Sequence, residues 1–493
     1  MGQASAIWID VEDLFHYVRH NSRLSGIQRL TYELYAALEA QAAADGRRIG
    51  YVRIGPRSDS FRVVSWPQVR ALCHGLTISR IEPEPAAPPP KPPGSVRRLP
   101  RRAASALQAR LPQPARDRFH RFCILQSAAL RSLAQIRRPA VTRADAQSVQ
   151  PAIERAEPPE PAEEGVALRD LARSGDWLLS LGASWHRTDY GALLERARRE
   201  SGLRTGALFY DLIPLRRPEW CHHTLVETFG TWLDGVLPSL DAMFAISDAT
   251  ARDVTAYLSE RNHRAGAQVR TIPVGTGFPT SVEAIHAAAE DVPDHALPPP
   301  GSYVLFVSTI EARKNHALMF QVWRQLAQTL PADDVPTLVF AGRIGWLVAD
   351  LMLQIANTNY CDGKLLIIED PSDAMLMRLY QGCLFTVLPS LFEGWGLPVT
   401  ESLAAGKPCI TSNVTSLPEA GGGLTRMLDP LDLNDALRVI RGTLADREGL
   451  ACWEQKVRET FVPVPWTRSA TVLLEGLDAE DATQGVRDAV AHA

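Results

Sequence analysis

Two glutamates, Glu393 and Glu401, are separated by seven residues around the segment FEGWGLP. The apolar run before them predicts a buried strand, and Pro398 suits the start of a helix because its missing N–H costs little there. Glu393 is therefore expected in a loop at the carboxyl end of a strand, where open α/β sheets place ligands. Glu401 is expected in the first turn of the helix, where it could bind a ribose diol beside N–H groups suited to a phosphate. The alternative is a glutamate that caps an ordinary helix.

A pair of cations, Arg313 and Lys314, follows the apolar strand 303–308 in the segment VSTIEARKNHALM. A helix is predicted from His316 to about Thr329. Two cations beside a helix start could neutralise a diphosphate leaving group. Adjacent basic residues are more often a solvated surface pair, but the position after the first strand of a second α/β series favours a site.

Four other segments offer candidate polar residues. Asp211, in ALFYDLIPL, could orient a substrate hydroxyl or could cap its own turn. Gly26, in SGIQR, permits a close backbone approach, and Arg29 is either an anion contact or an ordinary charge on a helix surface. Ser247 could be either a polar contact of the site or a helix N-cap. His186 could be either a site residue or a structural residue.

The elements that must position these residues are repeated strand-loop-helix units. Residues 7–54 read as a strand, a loop, a helix and a second strand, and the helix has an apolar face at spacings of three and four. Further apolar strands are predicted at WLLS, GALFY, AMFAIS and VRTIPV, and then at SYVLFVS, TLVFAG, KLLIIED, LFTVLPS and PCITS. Continuously apolar strands indicate a sheet covered by helices on both faces. Two Rossmann-like domains are the predicted fold.

Composition marks the boundaries between these domains. We predict an N-terminal domain over 1–280 with a Pro/Arg-rich insertion at 82–164, a linker at 281–300, a C-terminal domain over 298–455 and a terminal segment over 456–493. Within the insertion, residues 91–138 carry twelve Lys or Arg against one acid, a charge of +11 in a chain of net charge −4. Apolar residues lie among these arginines, so the stretch is a candidate contact for an anionic membrane.

The combined motifs resemble the retaining glycosyltransferases of family 4. Their hallmark is two glutamates at the spacing of Glu393 and Glu401 in a Gly-Pro context, and the resemblance covers nearly the whole chain except the insertion. It implies an α/β GT-B fold, with two Rossmann-like domains facing across a cleft and a C-terminal helix, from VPVPWTRSATVLLEGL, that crosses back to the N-terminal domain.

The resemblance also implies roles for individual residues. Glu393 would hold hydroxyls of a donor sugar and Glu401 the nucleotide ribose, with the loop at Gly394 beside them. The backbone at Gly396 and Leu397 would hold the phosphate.

Other positions of the family pattern are matched or altered. The segment from Arg343 to Trp346 would read the nucleotide base, Trp346 being able to stack on it. Gly26 would approach the diphosphate. Tyr210 stands where the family commonly has a histidine before Asp211, and Thr309 stands where many members have an arginine.

Further features exclude several classes of protein. The seven cysteines show no C-x-x-C spacing, the N-terminus does not read as a signal peptide, and no run is long enough for a membrane helix. A cytoplasmic protein is therefore expected, with any membrane contact peripheral. There is no D-x-D, Walker loop, H-E-x-x-H, G-x-S-x-G or G-x-G-x-x-G. We expect no metal and no cofactor.

The predicted activity is transfer of a hexose, mannose first, from a nucleoside diphosphate sugar to a glycan or lipid-linked acceptor, with retained configuration, in polysaccharide biosynthesis. GDP-mannose is the favoured donor because the I-E-x-R-K-N and Y-D-L-I-P segments resemble bacterial mannosyltransferases. The alternatives are a catalytically silent GT-B scaffold that binds nucleotide or glycan, and a nucleotide-sugar epimerase or hydrolase of the same fold. Nucleic acid is not an expected partner, because the basic stretch lacks interleaved aromatic residues.

Overall fold

The computed structural model describes residues 5–19, 21, 26–55, 60–78, 165–261, 268–276 and 297–491. The predicted insertion at 82–164, with its basic stretch 91–138, and most of the linker lie outside the described residues. Among the described helices, none is long and apolar enough to cross a membrane.

The first sheet has seven strands, in the order β3-β2-β1-β4-β5-β6-β7. All neighbouring pairs are parallel except β2 and β3, which are antiparallel. The strands are β1 Ile7–Asp10, β2 Ile49–Ile54, β3 Phe61–Val64, β4 Trp177–Ser180, β5 Arg204–Phe209, β6 Ala242–Ala245 and β7 Val269–Thr271. Strands β1, β4 and β6 are buried at every residue, as expected for largely apolar strands under two layers of helices.

The second sheet has six parallel strands, in the order β10-β9-β8-β11-β12-β13. They are β8 Tyr303–Val307, β9 Thr337–Ala341, β10 Leu365–Ile368, β11 Thr386–Leu388, β12 Cys409–Ser412 and β13 Arg426–Leu428. In both sheets the strand order reverses beside the first strand, between β1 and β4 and between β8 and β11. Doubly wound sheets bind ligands at such switch points, outside the carboxyl ends of the strands.

Helices cover both sheets and connect the strands. Those of the N-terminal half are α1 Glu12–Val18, α2 Gly26–Asp45, α3 Trp66–Ile78, α4 Leu168–Leu171, α5 Tyr190–Ser201, α6 Ile213–Arg216, α7 His223–Val236 and α8 Asp248–Glu260. Those of the C-terminal half include α9 His316–Thr329, α10 Ala349–Asn357, α11 Asp373–Gly382, α12 Leu397–Ala404, α13 Leu417–Gly421, α14 Leu433–Ala445, α15 Arg447–Thr460 and α16 Trp466–Ala491. Short 3₁₀ turns include Ser184–His186 and Ala312–Lys314.

The last helix, α16, returns to the N-terminal half, as predicted. Its Ala470, Leu473, Leu474 and Leu477 are buried in the core built on the first sheet. At its start the Trp466 indole lies against Gly275, where an added Cβ would come within 2.2 Å of the ring. The predicted boundary at 455/456 falls inside α15, whose Val457 packs in the core of the second sheet.

The elements predicted from the sequence pattern lie close to their predicted positions, but several elements differ or were not predicted. Helix α9 has the predicted bounds, His316–Thr329. Strands β3 and β13 and helix α3 were not predicted, because short or partly exposed segments carry little periodic signal. Helix α12 begins at Leu397, so Glu401 lies in its second turn, and the expectation of the first turn was wrong.

Candidate active site

A cleft of about 620 Å³ lies between the two halves of the chain. The carboxyl ends of β8 to β11 provide one wall, and the start of α2 with the loops after β4 and β5 provides the other. Such a volume is typical of a small-molecule site. The candidate residues that line it are Gly26, Arg29, Asp211, Arg313, Lys314, Arg343, Glu393, Gly394, Gly396, Leu397 and Glu401.

Glu393 is joined to both cations by a buried ion-pair cluster. Lys314 Nζ donates to one carboxylate oxygen at 2.5 Å, and Arg313 Nη1 donates to the other at 2.9 Å. Arg313 Nη2 also donates at 2.6 Å to Glu311, whose side chain is 3% exposed. Two cations and two carboxylates therefore balance in charge, and each cation is held in a fixed direction.

The charges of this cluster shift the pKa values of its members. Burial acts to raise the pKa of Glu393, but Lys314 and Arg313 outweigh it and lower that pKa to about 2. Burial, aided by the neighbouring Arg313, lowers the pKa of Lys314. Burial acts against the charged form of Arg313, yet Glu393 and Glu311 raise its pKa. Glu393 is consequently ionised at every ordinary pH.

Glu401 is held by residues from both halves of the chain. Tyr380, in α11, donates its hydroxyl to one oxygen at 2.9 Å. Arg29, in α2, lies 3.4 Å from the other oxygen through Nη1. The sequence left Arg29 open between an anion contact and an ordinary charge on a helix surface. The structure places it against the Glu401 carboxylate with its side chain 15% exposed, so it is not an ordinary surface charge.

Backbone and hydroxyl contacts fix the loop that carries Glu393. The Glu393 N–H donates to Thr415 Oγ1 at 3.0 Å, and Ser416 Oγ donates to the Glu393 carbonyl at 3.0 Å. The Leu391 N–H donates at 2.9 Å to the carbonyl of Arg313. The loops after β8, β11 and β12 are thus bonded to one another, which positions the cluster rigidly.

Sequence reasoning missed several residues that shape the site. Glu311 stands inside the motif already singled out, so its carboxylate could have been recognised as a partner for Arg313. Tyr380, Thr415 and Ser416 lie far away in sequence and carry no local signal. Gly342 could have been noticed only as a glycine after a strand; an added Cβ there would lie 2.0 Å from the Ser308 carbonyl oxygen.

Two glycines of the FEGWGLP loop permit close packing. A Cβ at Gly394 would lie 2.0 Å from the carbonyl oxygen of Tyr210, so this glycine lets the two halves meet. Gly396 has φ 108° and is the N-cap of α12, a conformation that favours glycine. By contrast, a Cβ at Gly26 would have nothing within 4 Å.

Asp211 lines the cleft and also caps its own turn. Its carboxylate accepts from the Ile213 N–H at 2.9 Å, which is the alternative considered from the sequence. Burial raises the pKa of Asp211, while the Ile213 N–H and Arg313 oppose that rise. The neighbouring Tyr210 donates its hydroxyl at 2.5 Å to the Leu181 carbonyl, so this hydroxyl has a structural partner.

The remaining candidates are divided between the cleft and its surroundings. Arg343 lines the cleft and lies 3.8 Å from Asp370. Trp346 is not among the residues that line the cleft; it is 52% exposed and donates its indole N–H at 2.8 Å to the Trp220 carbonyl. This placement does not favour the predicted stacking on a base within the cleft.

The last two candidates also lie elsewhere. Ser247 is the N-cap of α8, its side chain accepting from the Thr250 N–H. His186 stacks on His16 with ring centroids 4.5 Å apart, beside a small separate cavity that Asp10 and Asp13 line. His186 is therefore not placed to replace the histidine of the family pattern.

Comparison with known proteins matches a segment in the second half of the chain to a known family. Residues 288–422 match the family described as glycosyl transferases group 1. The chain is 26% identical over 295 residues to the serotype-specific mannosyltransferase WbdA of Escherichia coli, covering 57% of this chain and 34% of that protein. It is 33% identical over 146 residues to the O-antigen chain mannosyltransferase B of Escherichia coli, covering 29% of this chain and 37% of that protein. The chain thus spans about a third of the length of these curated relatives.

Solved structures give more distant likenesses. Sucrose-phosphate synthase from Thermosynechococcus elongatus aligns with a TM-score of 0.43 at 19% identity, over 64% of this chain and 74% of that one. The N-terminal domain of Candida albicans trehalose-6-phosphate phosphatase aligns with a TM-score of 0.49 at 13% identity, over 63% and 72%. The two doubly wound sheets, the cleft and the returning helix themselves define the architecture. The chain thus carries a glycosyl transferases group 1 domain at 288–422 within a GT-B fold, and it resembles bacterial polysaccharide mannosyltransferases.

Proposed function

We propose that this protein transfers a hexosyl group, mannosyl first, from a nucleoside diphosphate sugar to a glycan or lipid-linked acceptor in polysaccharide biosynthesis, with retained configuration. The observation that carries the proposal is the buried cluster of Glu393, Lys314 and Arg313 in the cleft. The names of the relatives, two of them mannosyltransferases of Escherichia coli, support mannose and make GDP-mannose the first donor to test.

The chemistry follows from charge that is already oriented. When the glycosidic bond to a diphosphate breaks, negative charge grows on the leaving group and positive charge on the sugar ring. Arg313 and Lys314, fixed by Glu311 and Glu393, can stabilise the leaving group without first reorganising. Lys314 and Arg313 donate to different oxygens of Glu393, and a carboxylate offers about four acceptor positions, so this one has room for a sugar hydroxyl as well.

Binding of the donor extends along α12 in this proposal. Glu401 would accept from the ribose hydroxyls while keeping Tyr380, and the N-terminus of α12 at Gly396 and Leu397 would take a phosphate. Asp211 faces the same cleft from the other half and would orient a hydroxyl of donor or acceptor. Because cationic side chains serve the diphosphate, we propose that no metal or cofactor is needed.

A panel of nucleoside diphosphate sugars tests the activity directly. Release of nucleoside diphosphate is measured for GDP and UDP sugars, with and without lipid-linked acceptors and with a chelator present. We expect acceptor-dependent release from GDP-mannose that survives the chelator. Release without acceptor would instead indicate an epimerase or hydrolase.

One observation favours a second candidate, a catalytically silent scaffold that binds nucleotide or glycan. The Tyr210 hydroxyl, at the position of the family's histidine, is bonded to a backbone carbonyl. Nucleotide binding with no turnover on any donor would establish this reading.

A cytoplasmic location and contact of residues 91–138 with an anionic membrane remain proposals, and salt-dependent co-sedimentation with anionic vesicles tests the latter.

A further inference from the structure

Arg29 connects the N-terminal half of the chain to Glu401, which lies on the wall of the cleft formed by the C-terminal half. It lies one turn inside α2, and the whole stretch Gly26–Leu30 faces the cleft. Arg29 and Glu401 are 372 positions apart in sequence, yet their side chains are only 15% and 10% exposed at the point where they meet. An ion pair so shielded from water interacts more strongly than a surface pair.

The two partners of Glu401 together fix its orientation. The Tyr380 hydroxyl holds one oxygen from within the C-terminal half, and Arg29 lies against the other oxygen from across the cleft. A carboxylate offers about four acceptor positions, so both partners can remain while further hydroxyls bind. Removing Arg29 would leave a nearly buried carboxylate with one partner and freedom to rotate.

Other contacts hold Arg29 in this place by joining the two halves. Glu419, in α13, accepts from the Asp248 and Ala249 N–H groups of α8 at 2.8 and 2.9 Å. Gly394 packs directly on the Tyr210 carbonyl. The position of Arg29 relative to Glu401 is therefore set by docking of the domains and not by α2 alone.

We infer that Arg29 is a positioning residue that acts through Glu401, so that the N-terminal half completes the nucleotide-binding site of the C-terminal half. This inference rests on the proposed function, in which Glu401 binds the ribose. It names a residue of the acceptor-side domain whose effect is on nucleotide affinity. An arginine that simply contacted the phosphates would act independently of Glu401.

A double-mutant cycle separates these two roles. Binding of GDP and of UDP is measured by calorimetry for wild type, Arg29→Met, Glu401→Gln and the double variant. Arg29→Met should weaken binding of the preferred nucleotide about 10- to 100-fold, the usual effect of losing a hydrogen bond to a charged group. In the Glu401→Gln background the same change should have little further effect.

Three comparisons complete the test. Arg29→Lys keeps the charge without the planar fork and should recover part of the affinity. Arg199→Met removes an exposed arginine of the same half and should bind as wild type does. Thermal unfolding of every variant identifies losses that come from misfolding, and with the donor sugar the change should fall on KM more than on kcat.

The outcomes are distinguishable. Additive losses in the double variant, or wild-type affinity in Arg29→Met while Glu401→Gln is impaired, would overturn the inference about Arg29 and leave the proposed function standing. Wild-type affinity in both single variants would overturn the nucleotide site itself.

Discussion

At the scale of single residues, the proposed chemistry depends on Glu393 and its two cations. The sequence predicted separate roles, in which the glutamate binds the donor sugar and the two cations neutralise the diphosphate. The structure bonds all three together, because buried charges need partners. A change at Glu393 therefore affects both charge balance and substrate contact.

Glu393→Gln should lower kcat and kcat/KM together while nucleotide affinity is largely kept, because in the proposed function Glu393 contacts the transferred sugar. It should also cost roughly 3–5 kcal/mol of unfolding free energy by leaving two buried cations underpaired. Donor-titration kinetics and urea unfolding at neutral pH measure the two effects. Glu448→Gln, an exposed glutamate of α15, is the matched control. Normal turnover in Glu393→Gln would remove this residue from the site.

The stability effect at Glu393 has a defined pH window. Its pKa is lowered to about 2, against a model-peptide value near 4.3. Ionised Glu393 therefore stabilises the fold fully above the unfolded pKa, and this contribution is lost as the pH falls through about 2. The difference in unfolding free energy between wild type and Glu393→Gln should shrink below about pH 4.

At the scale of elements, the carboxyl end of β1 and the start of α1 carry a second group of buried acids. Asp10 accepts from the Tyr190 hydroxyl at 2.6 Å and is 5% exposed, and Asp13 accepts from the Ala183 N–H at 3.1 Å. Burial raises the pKa of Asp10 to about 7 and that of Asp13 to about 6. These carboxyls favour folding in their neutral forms.

Asp10→Asn should flatten the pH dependence of stability. The contribution of neutral Asp10 is full below the unfolded pKa of about 3.9 and is lost as the pH rises through 7. The wild type should therefore lose up to about 1.4 kcal/mol of unfolding free energy per pH unit in that window that the variant does not lose. Urea titrations between pH 4 and 8 measure the slopes, with exposed Asp170→Asn as control. Parallel slopes in wild type and Asp10→Asn would contradict this.

Helix α8 is capped by one hydroxyl group and one carboxylate, and the carboxylate comes from the other half of the chain. Ser247 caps it locally, and Glu419 accepts from its first two N–H groups across the interface. Glu419→Ala should cost about 1–2 kcal/mol, as loss of a cap does, and should speed hydrogen exchange at residues 248–252. Exchange measured by mass spectrometry tests this, with Glu448→Ala as control. Unchanged exchange at 248–252 would show that the contact does not protect α8.

At the scale of the whole molecule, Gly394 sets how closely the two halves meet. Gly394→Ala would place a Cβ 2.0 Å from the Tyr210 carbonyl, so it should separate the halves and abolish most turnover. Gly26→Ala meets nothing within 4 Å and should fold and dock normally. Small-angle scattering compares the radius of gyration, and nucleoside diphosphate release compares activity. An unchanged radius and full activity in Gly394→Ala would contradict the role of this contact.

The sequence by itself determined most strands of the two sheets and the loop positions of the site residues. Continuous apolar strands such as Tyr303–Val307 have one stable arrangement, under helices on both faces, and chain order then places Lys314 and Glu393 after neighbouring strands. These are local or pairwise consequences of hydrophobic periodicity. That is why the bounds of α9 were predicted correctly.

Only the tertiary structure decided which residues contact one another. Glu401 meets Tyr380 and Arg29, Gly394 meets Tyr210, and Trp346 lies outside the cleft. These contacts join residues 21 to 372 positions apart, or depend on how two domains dock, and no periodicity in a sequence encodes that geometry. Burial then sets the charges: desolvation raises the pKa of Asp10, while two cations overcome it at Glu393, and both effects exist only in the packed protein.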